Sequence, residues 1–243
     1  MHIAAVTLFP GLFEVYRSEG LFARASEKGL VDLSTVNIRD FTLDKHRTAD
    51  DIPYGGGPGM VMKPEPVVRA VESLGNKFTQ NKVLVVSPRG WVLNQKRAEK
   101  LSLLDNLTIV CGRYKGIDNR AIEVLHAEEI SIGDYILGAG EIAALTIIDS
   151  VVRLLPGFLG DMNSALEDSF SGKNKLLSAP EYTRPREFRN LKVPSVLLNG
   201  NHAKIEQWKK QQSLELTVNR RPELIDEKDL SEEEMEFLKK IKE

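Results

Sequence analysis

Apolar residues in the first two-thirds of the chain fall into short runs separated by amphipathic stretches. Strand-like runs lie at 2–9 (HIAAVTLF), 31–38 (VDLSTVNI), 82–87 (KVLVVS), 107–112 (LTIVCG) and 129–132 (EISI). Helical spacing fills the intervals near 11–28, 64–74, 94–104, 118–126 and 141–155. Strands alternating with helices predict an α/β domain built on a parallel sheet. KVLVVS is apolar almost throughout, as a parallel strand covered on both faces should be. Pro64 suits the first turn of its helix, because its fixed φ is already helical. The segment 141–155 carries a narrow polar stripe at Thr146, Asp149, Ser150 and Arg153, a pattern that fits burial on two sides. Residues 39–63 (RDFTLDKHRTADDIPYGGGPGMVMK) have no period and hold four glycines. A polar loop of that length inside a compact domain is usually functional or mobile.

The pattern changes after Leu155. Residues 156–180 (PGFLGDMNSALEDSFSGKNKLLSAP) are rich in Gly, Ser, Asn and Asp and read as a linker. Helical periodicity returns over 181–243, clearest in IEQWKKQQSLELTVNRR. The predicted organisation is a domain over 1–160, a linker over 161–180 and a small, mainly helical domain over 181–243. Charge sharpens this division. Residues 173–221 hold eleven Lys and Arg against four acids, a balance of +7, whereas 222–243 hold nine acids against four lysines, a balance of −5. The basic stretch is either a solvated helical face or a phosphate-binding surface, with Arg184, Arg186, Arg189, Lys209, Lys210, Arg220 and Arg221 as candidates. Trp208, at helical spacing from Ile205, fits a core position better than a base-stacking platform.

Composition narrows the field by exclusion. The 243 residues, 42% hydrophobic and 28% charged with a net charge of −2, are those of an ordinary globular protein. Cys111 is the single cysteine, so neither a disulfide framework nor a zinc cluster is available; within LTIVCG it reads as a small buried hydrophobe. The four histidines lie far apart, without metal-ligand spacing. No apolar run reaches the length of a membrane span, because Asp149 and Arg153 interrupt the longest one. The start MHIAAVTLFPGLF has no charged leader, so a cytoplasmic protein is expected.

Neither a G-x-S-x-G nor a Walker A pattern is present. Gly138-Ala139-Gly140-Glu141-Ile142-Ala143 fits G-x-G-x-x-A, but it follows the fifth strand rather than the first and leads into a linker. That context argues against a dinucleotide site. Three glycine-bearing loops remain, each at the carboxyl end of a strand: Ser87–Gly90, Cys111–Tyr114 and Ile132–Gly138. They are either ordinary tight turns or the walls of a pocket that reads a ligand with backbone groups, as an adenine ring would need.

The set TLFP, DKHRTADDIPYGGGPGM, SPRG, CGRYKGID, SIGDYIL, DSVVRLLPG, EDSF, YTRP, VLLNGNH and RRPEL closely resembles the bacterial tRNA (guanine-N1)-methyltransferase family, TrmD, over residues 1 to about 225. The resemblance implies transfer of a methyl group from S-adenosylmethionine to ring nitrogen 1 of the guanosine 3′ of the anticodon, position 37 of tRNA. It also implies the SPOUT-type fold, an α/β domain with a deep trefoil knot around the cofactor, and a homodimer whose active sites span the interface. Carried over position by position, the cofactor site is Ser87, Pro88, Gly90, Gly112, Ile132, Gly133, Asp134, Tyr135, Ile136, Leu137 and Gly140. At Gly112 and Gly140 a side chain would fill space the ligand needs. Asp168 matches the catalytic acid and Arg153 a catalytic cation, although by residue type alone Asp168 also suits a helix N-cap and Arg153 a partner for Asp149. The tRNA contacts fall to Arg113, Arg184, Lys209, Arg220 and Arg221. Two departures lie near the site. Lys115 stands where the family usually has a glutamate, which puts the family's magnesium in doubt, and Ala139 and Ala143 replace a glycine and a proline. A catalytically altered tRNA-binding protein, or an enzyme acting at ribose or another purine position, are the competing expectations.

Overall fold

A computed structural model describes residues 1–75, 82–160, 168–172 and 174–242, so residues 161–167 and 173 of the expected linker lie outside the described residues, as does the last residue of the tail. The chain divides into two compact units, residues 1–160 and 161–243.

The first unit is built on five parallel strands in the order β2-β1-β6-β5-β7. They are β1 His2–Thr7, β2 Asp32–Asn37, β5 Lys82–Val92, β6 Asn106–Cys111 and β7 Glu128–Ser131. A two-stranded ribbon, β3 Asp50–Asp51 with β4 Val61–Met62, lies in the long glycine-rich loop. Side chains alternate across a strand, and the core splits accordingly. Leu84, Ile109 and Cys111 join one cluster with residues of α1 Gly11–Ser18, α2 Gly20–Glu27, α4 Gln95–Ser102 and α6 Gly140–Val152. Val83, Val85 and Val110 join the other with α3 Pro64–Glu72 and α5 Asn119–Val124. The central strand β6 is buried at every position, and two apolar faces of that kind drive the three-layer arrangement.

Two expectations need correction here. The single helix over 11–28 is two helices: Glu19 is extended (φ −123°, ψ 155°) and Gly20 takes φ +64°, a value glycine adopts at no steric cost. The break lets Phe13 and Phe22, from separate helices, both reach the core. Strand β5 does not end at Ser87 either. Val86 and Trp91 both pair with Ile130, so residues 87–90 loop out and the strand resumes.

The second unit is not helical from residue 181. Pro185 and Pro194 remove backbone donors there. The chain forms a hairpin, β8 Glu187–Phe188 with β9 Leu191–Lys192, followed by a 3-10 turn at Ser195–Leu198. Arg189 (φ 50°) and Asn190 (φ 67°) make the tight two-residue turn. Helix α7, His202–Arg220, begins where the Asn201 side chain accepts from Lys204 N at 3.2 Å. Helix α8, Glu232–Lys242, begins with Ser231 and Glu234 bonding each other's backbone N–H groups, a reciprocal cap. Trp208 is half-buried with its ring centroid 6.2 Å from that of Tyr182.

Candidate active site

Strands β6, β5 and β7 are neighbours, so the segments leaving the carboxyl ends of β6 and β7 and the loop that interrupts β5 after Val86 share one end of the sheet. Loop 87–90, the segment after Cys111 and loop 132–139 converge there around a cavity of about 260 Å³. Ligands bind at such strand ends in open parallel sheets. Ser87, Pro88, Gly112, Ile132, Gly133, Tyr135, Ile136, Leu137 and Gly140 line the cavity. Gly90 and Asp134 are not among the lining residues, and Asp134 is exposed. The wall also contains Ile122 and Glu129, which no motif held, and Ile117 and Ala143, which lay within quoted motifs without being named as cofactor contacts. The sequence signals for these were the place of Ile117 in CGRYKGID and of Ala143 in the G-x-G-x-x-A stretch; Ile122 and Glu129 had none.

Gly140 and Gly112 in this wall, and Gly90 beside it, stand against protein backbone. A Cβ on Gly140 would lie 2.8 Å from both N and O of Gly112, and Gly140 N donates to Gly112 O at 2.9 Å. A Cβ on Gly112 would lie 3.1 Å from Val86 O, and one on Gly90 would lie 2.3 Å from backbone atoms of Glu129 and Ile130. Beside the ligand space that the sequence reading assigned to Gly112 and Gly140, the close approach of chain segments also favours glycine at both. Gly133 takes φ +149° beneath the Tyr135 ring, whose hydroxyl donates to Ile132 O at 3.2 Å. The Ser131 hydroxyl donates to Gly133 O at 3.0 Å. These local bonds shape loop 132–139 while leaving Tyr135 and Ile136 more than half exposed.

Charge around the cavity is paired. Arg89 donates from Nη2 and Nε to Glu129 Oε1, at 2.9 and 3.2 Å. Glu141 is fully buried in the first turn of α6, where the helix dipole favours an anion. It accepts from the Thr7 hydroxyl at 2.8 Å and lies 3.5 Å from Arg113 Nε. The Arg113 guanidinium, 4.0 Å from the Phe9 ring centroid, thus sits in the cavity wall against Glu141. Cys111 is buried, and burial, followed by the nearby Glu141 charge, pushes its thiol well above its ordinary value.

Lys115 N donates to Met60 O at 3.0 Å, and Met62 N donates to Gly116 O at 3.0 Å, seating the glycine-rich loop on this edge. The Lys115 stem passes 3.3 Å from where a Gly59 Cβ would stand. A divalent cation needs carboxylate oxygens to bind it. Glu129 already holds Arg89, Glu141 faces Arg113, and Asp118 holds Arg120 at 2.8 Å, which keeps the Asp118 carboxyl below the usual range. With Lys115 adding an ammonium, the residues present here do not fit magnesium.

The remaining candidates lie elsewhere. Arg153 caps the end of α6, half-buried; Asp149, one turn earlier, accepts from the Tyr16 hydroxyl at 2.8 Å. Asp168 belongs to the second unit, where it and Lys209 line a separate cavity of about 540 Å³. Arg184, Arg220 and Arg221 are exposed in the same unit, with Arg221 paired to Glu223.

The family model described as tRNA (Guanine-1)-methyltransferase TrmD matches residues 1–227. The chain belongs to the TrmD family. Proteins named tRNA (guanine-N(1)-)-methyltransferase are similar along the whole length. The one from Dictyoglomus turgidum is 48% identical over 242 residues, covering 100% of this chain and 97% of its own. The one from Geobacillus kaustophilus is 47% identical over 239 residues, covering 98% and 97%. The one from Bacillus cereus strain G9842 is 49% identical over 244 residues, covering 100% and 99%. Membership in the family carries tRNA (guanine-N1)-methyltransferase activity, and with it S-adenosylmethionine as methyl donor. No helix among the described residues is long and apolar enough to cross a membrane.

Proposed function

We propose that the cavity at the ends of β5, β6 and β7 takes S-adenosylmethionine and that the enzyme methylates N1 of the guanosine 3′ of the anticodon, position 37. The observation that carries this reading is the meeting of three loops from adjacent parallel strands around a cavity lined in part by Gly112, Gly116, Gly133, Gly138 and Gly140. Backbone N–H and C=O groups there suit an adenine edge, and Tyr135, Ile136 and Leu137 offer apolar cover. The bound cofactor supplies a methyl group on a positively charged sulfur.

The protein's own task is to make the ring nitrogen nucleophilic. Asp168 accepts the N1 proton, and Arg153 stabilises the negative charge that then develops on the neighbouring carbonyl oxygen. Arg113, Arg184, Lys209, Arg220 and Arg221 contribute phosphate contacts. Because Lys115 and the paired acids offer magnesium no site at this edge, methyl transfer relies there on the chain's own cations. The trefoil knot that accompanies the SPOUT fold belongs to the stretch reaching α6; the side-chain-free contact of Gly140 with Gly112 supports so close a threading. A homodimer is supported by apolar exposure on neighbouring helices. Val15 is 68% exposed on α1, Leu21 48% on α2 and Ile142 52% on α6. The setting is cytoplasmic, where tRNA is processed.

The test is incubation with labelled S-adenosylmethionine and unmodified tRNA, followed by digestion to nucleosides. Labelled 1-methylguanosine is expected. A ribose-methylated product, or binding without transfer, overturns the reading.

A further inference from the structure

Thr217 is a fully buried polar residue in the last turn of α7. A buried hydroxyl is tolerated when it is hydrogen-bonded, and this one is bonded twice. It donates to Ser213 O at 2.7 Å and accepts from Leu177 N at 3.0 Å. One turn earlier on the same stripe, the Ser213 hydroxyl donates to Leu177 O at 2.5 Å. Both backbone groups of Leu177 are thus satisfied by two side chains of one helix, which act as a strand partner would.

Leu177 closes the loop that begins at Asp168. Ser178 N donates to the Ser169 hydroxyl at 2.9 Å, Phe170 N donates to Leu176 O at 2.9 Å, and the Ser169 and Ser178 hydroxyls lie 3.0 Å apart. Farther along, Asn174 Nδ2 donates to the Glu234 carboxylate at 3.1 Å, which ties the loop to α8. Asp168 therefore leaves from a closed loop whose base is fastened to α7. Lys209 lies four residues before Ser213 and eight before Thr217, on the same face of that helix, and lines the same cavity as Asp168.

We infer that Thr217, assisted by Ser213, is a positioning residue for methyl transfer, fixing the Asp168 loop to the helix that grips tRNA. The inference rests on the reading of Asp168 as base and of Lys209 as a phosphate contact. Through this clamp the helix that holds the tRNA also sets where the base stands. Displacing a base by an ångström costs on the order of 100-fold in rate, so loss of the clamp should be felt in the chemical step.

The test is single-turnover methylation by Thr217→Val, which keeps the shape and removes the hydroxyl. A fall of about tenfold or more is expected, with tRNA and S-adenosylmethionine affinities unchanged and the rate restored in Thr217→Ser. In an Asp168→Asn background, Thr217→Val should add little further loss, because the two residues act as a unit. If Thr217→Val does not fold, Ser213→Ala removes the second arm of the clamp and should lower the same rate. A parental rate in the folded variant overturns the inference. So does an equal loss in Thr217→Ser, a parallel loss of tRNA affinity, or full additivity with Asp168→Asn. Failure of the parent to form 1-methylguanosine would instead overturn the functional reading.

Discussion

At the residue scale the chemistry rests on one proton. Guanine N1 is a poor nucleophile until that proton leaves, and Asp168 is the carboxylate assigned to take it. Asp168→Asn preserves shape but cannot accept a proton. Its single-turnover rate should fall at least ~100-fold with tRNA binding intact, and a rate near the parent's would remove Asp168 from the mechanism. Gly140 makes a different prediction. Even Gly140→Ala places a Cβ 2.8 Å from the backbone of Gly112, so calorimetry should show weaker cofactor binding together with a lower melting temperature. A variant that loses affinity but melts like the parent would mean that the added methyl meets only the ligand. The sequence motifs placed nine of eleven cofactor candidates in the cavity wall. They said nothing of Glu129 or Ile122, whose places depend on how distant segments fold together.

At the scale of elements, periodicity was a good guide wherever burial was continuous and a poor one where the backbone bends. The five core strands and α6 follow their apolar runs closely. The split between α1 and α2 depended on a single residue, Gly20, and the resumption of β5 after loop 87–90 depended on pairing with β7, which no local pattern records. One link between elements can be tested by pH. Tyr16 of α1 donates to Asp149 of α6, and burial, then this bond, raises its phenol above the ordinary value of 10.0. A group raised in the folded state contributes stability below its unfolded value and loses it as pH rises past that value. The melting temperature should therefore decline above about pH 10, and Tyr16→Phe should flatten that decline. An unchanged slope would show that the phenol is not held. At the end of α7, reversing the charge of Arg220 and Arg221 should weaken tRNA binding, spare cofactor binding and reduce the salt dependence of tRNA affinity; filter binding across a salt series measures all but the cofactor.

At the scale of the molecule, the exposed apolar residues of α1, α2 and α6 are the surface that the proposed homodimer would cover. Sedimentation should report a dimer, and Val15→Glu should shift it towards monomer and lower activity with it; an active monomer would refute shared sites. Methyl transfer to tRNA folded with spermidine should survive EDTA, because Lys115 and the paired acids leave magnesium no seat at this edge. Loss of activity restored by magnesium would place a metal elsewhere in the reaction.

The contact between Gly112 and Gly140 also bears on inhibition. A single-base change in a glycine codon that encodes a different amino acid adds at least one carbon, and at Gly140 that carbon collides with the main chain of Gly112. An inhibitor anchored to the backbone of these two residues would face a wall that point mutation cannot redecorate without damaging the enzyme, so resistance would have to arise at Tyr135, Ile136 or Leu137, where side chains face open water.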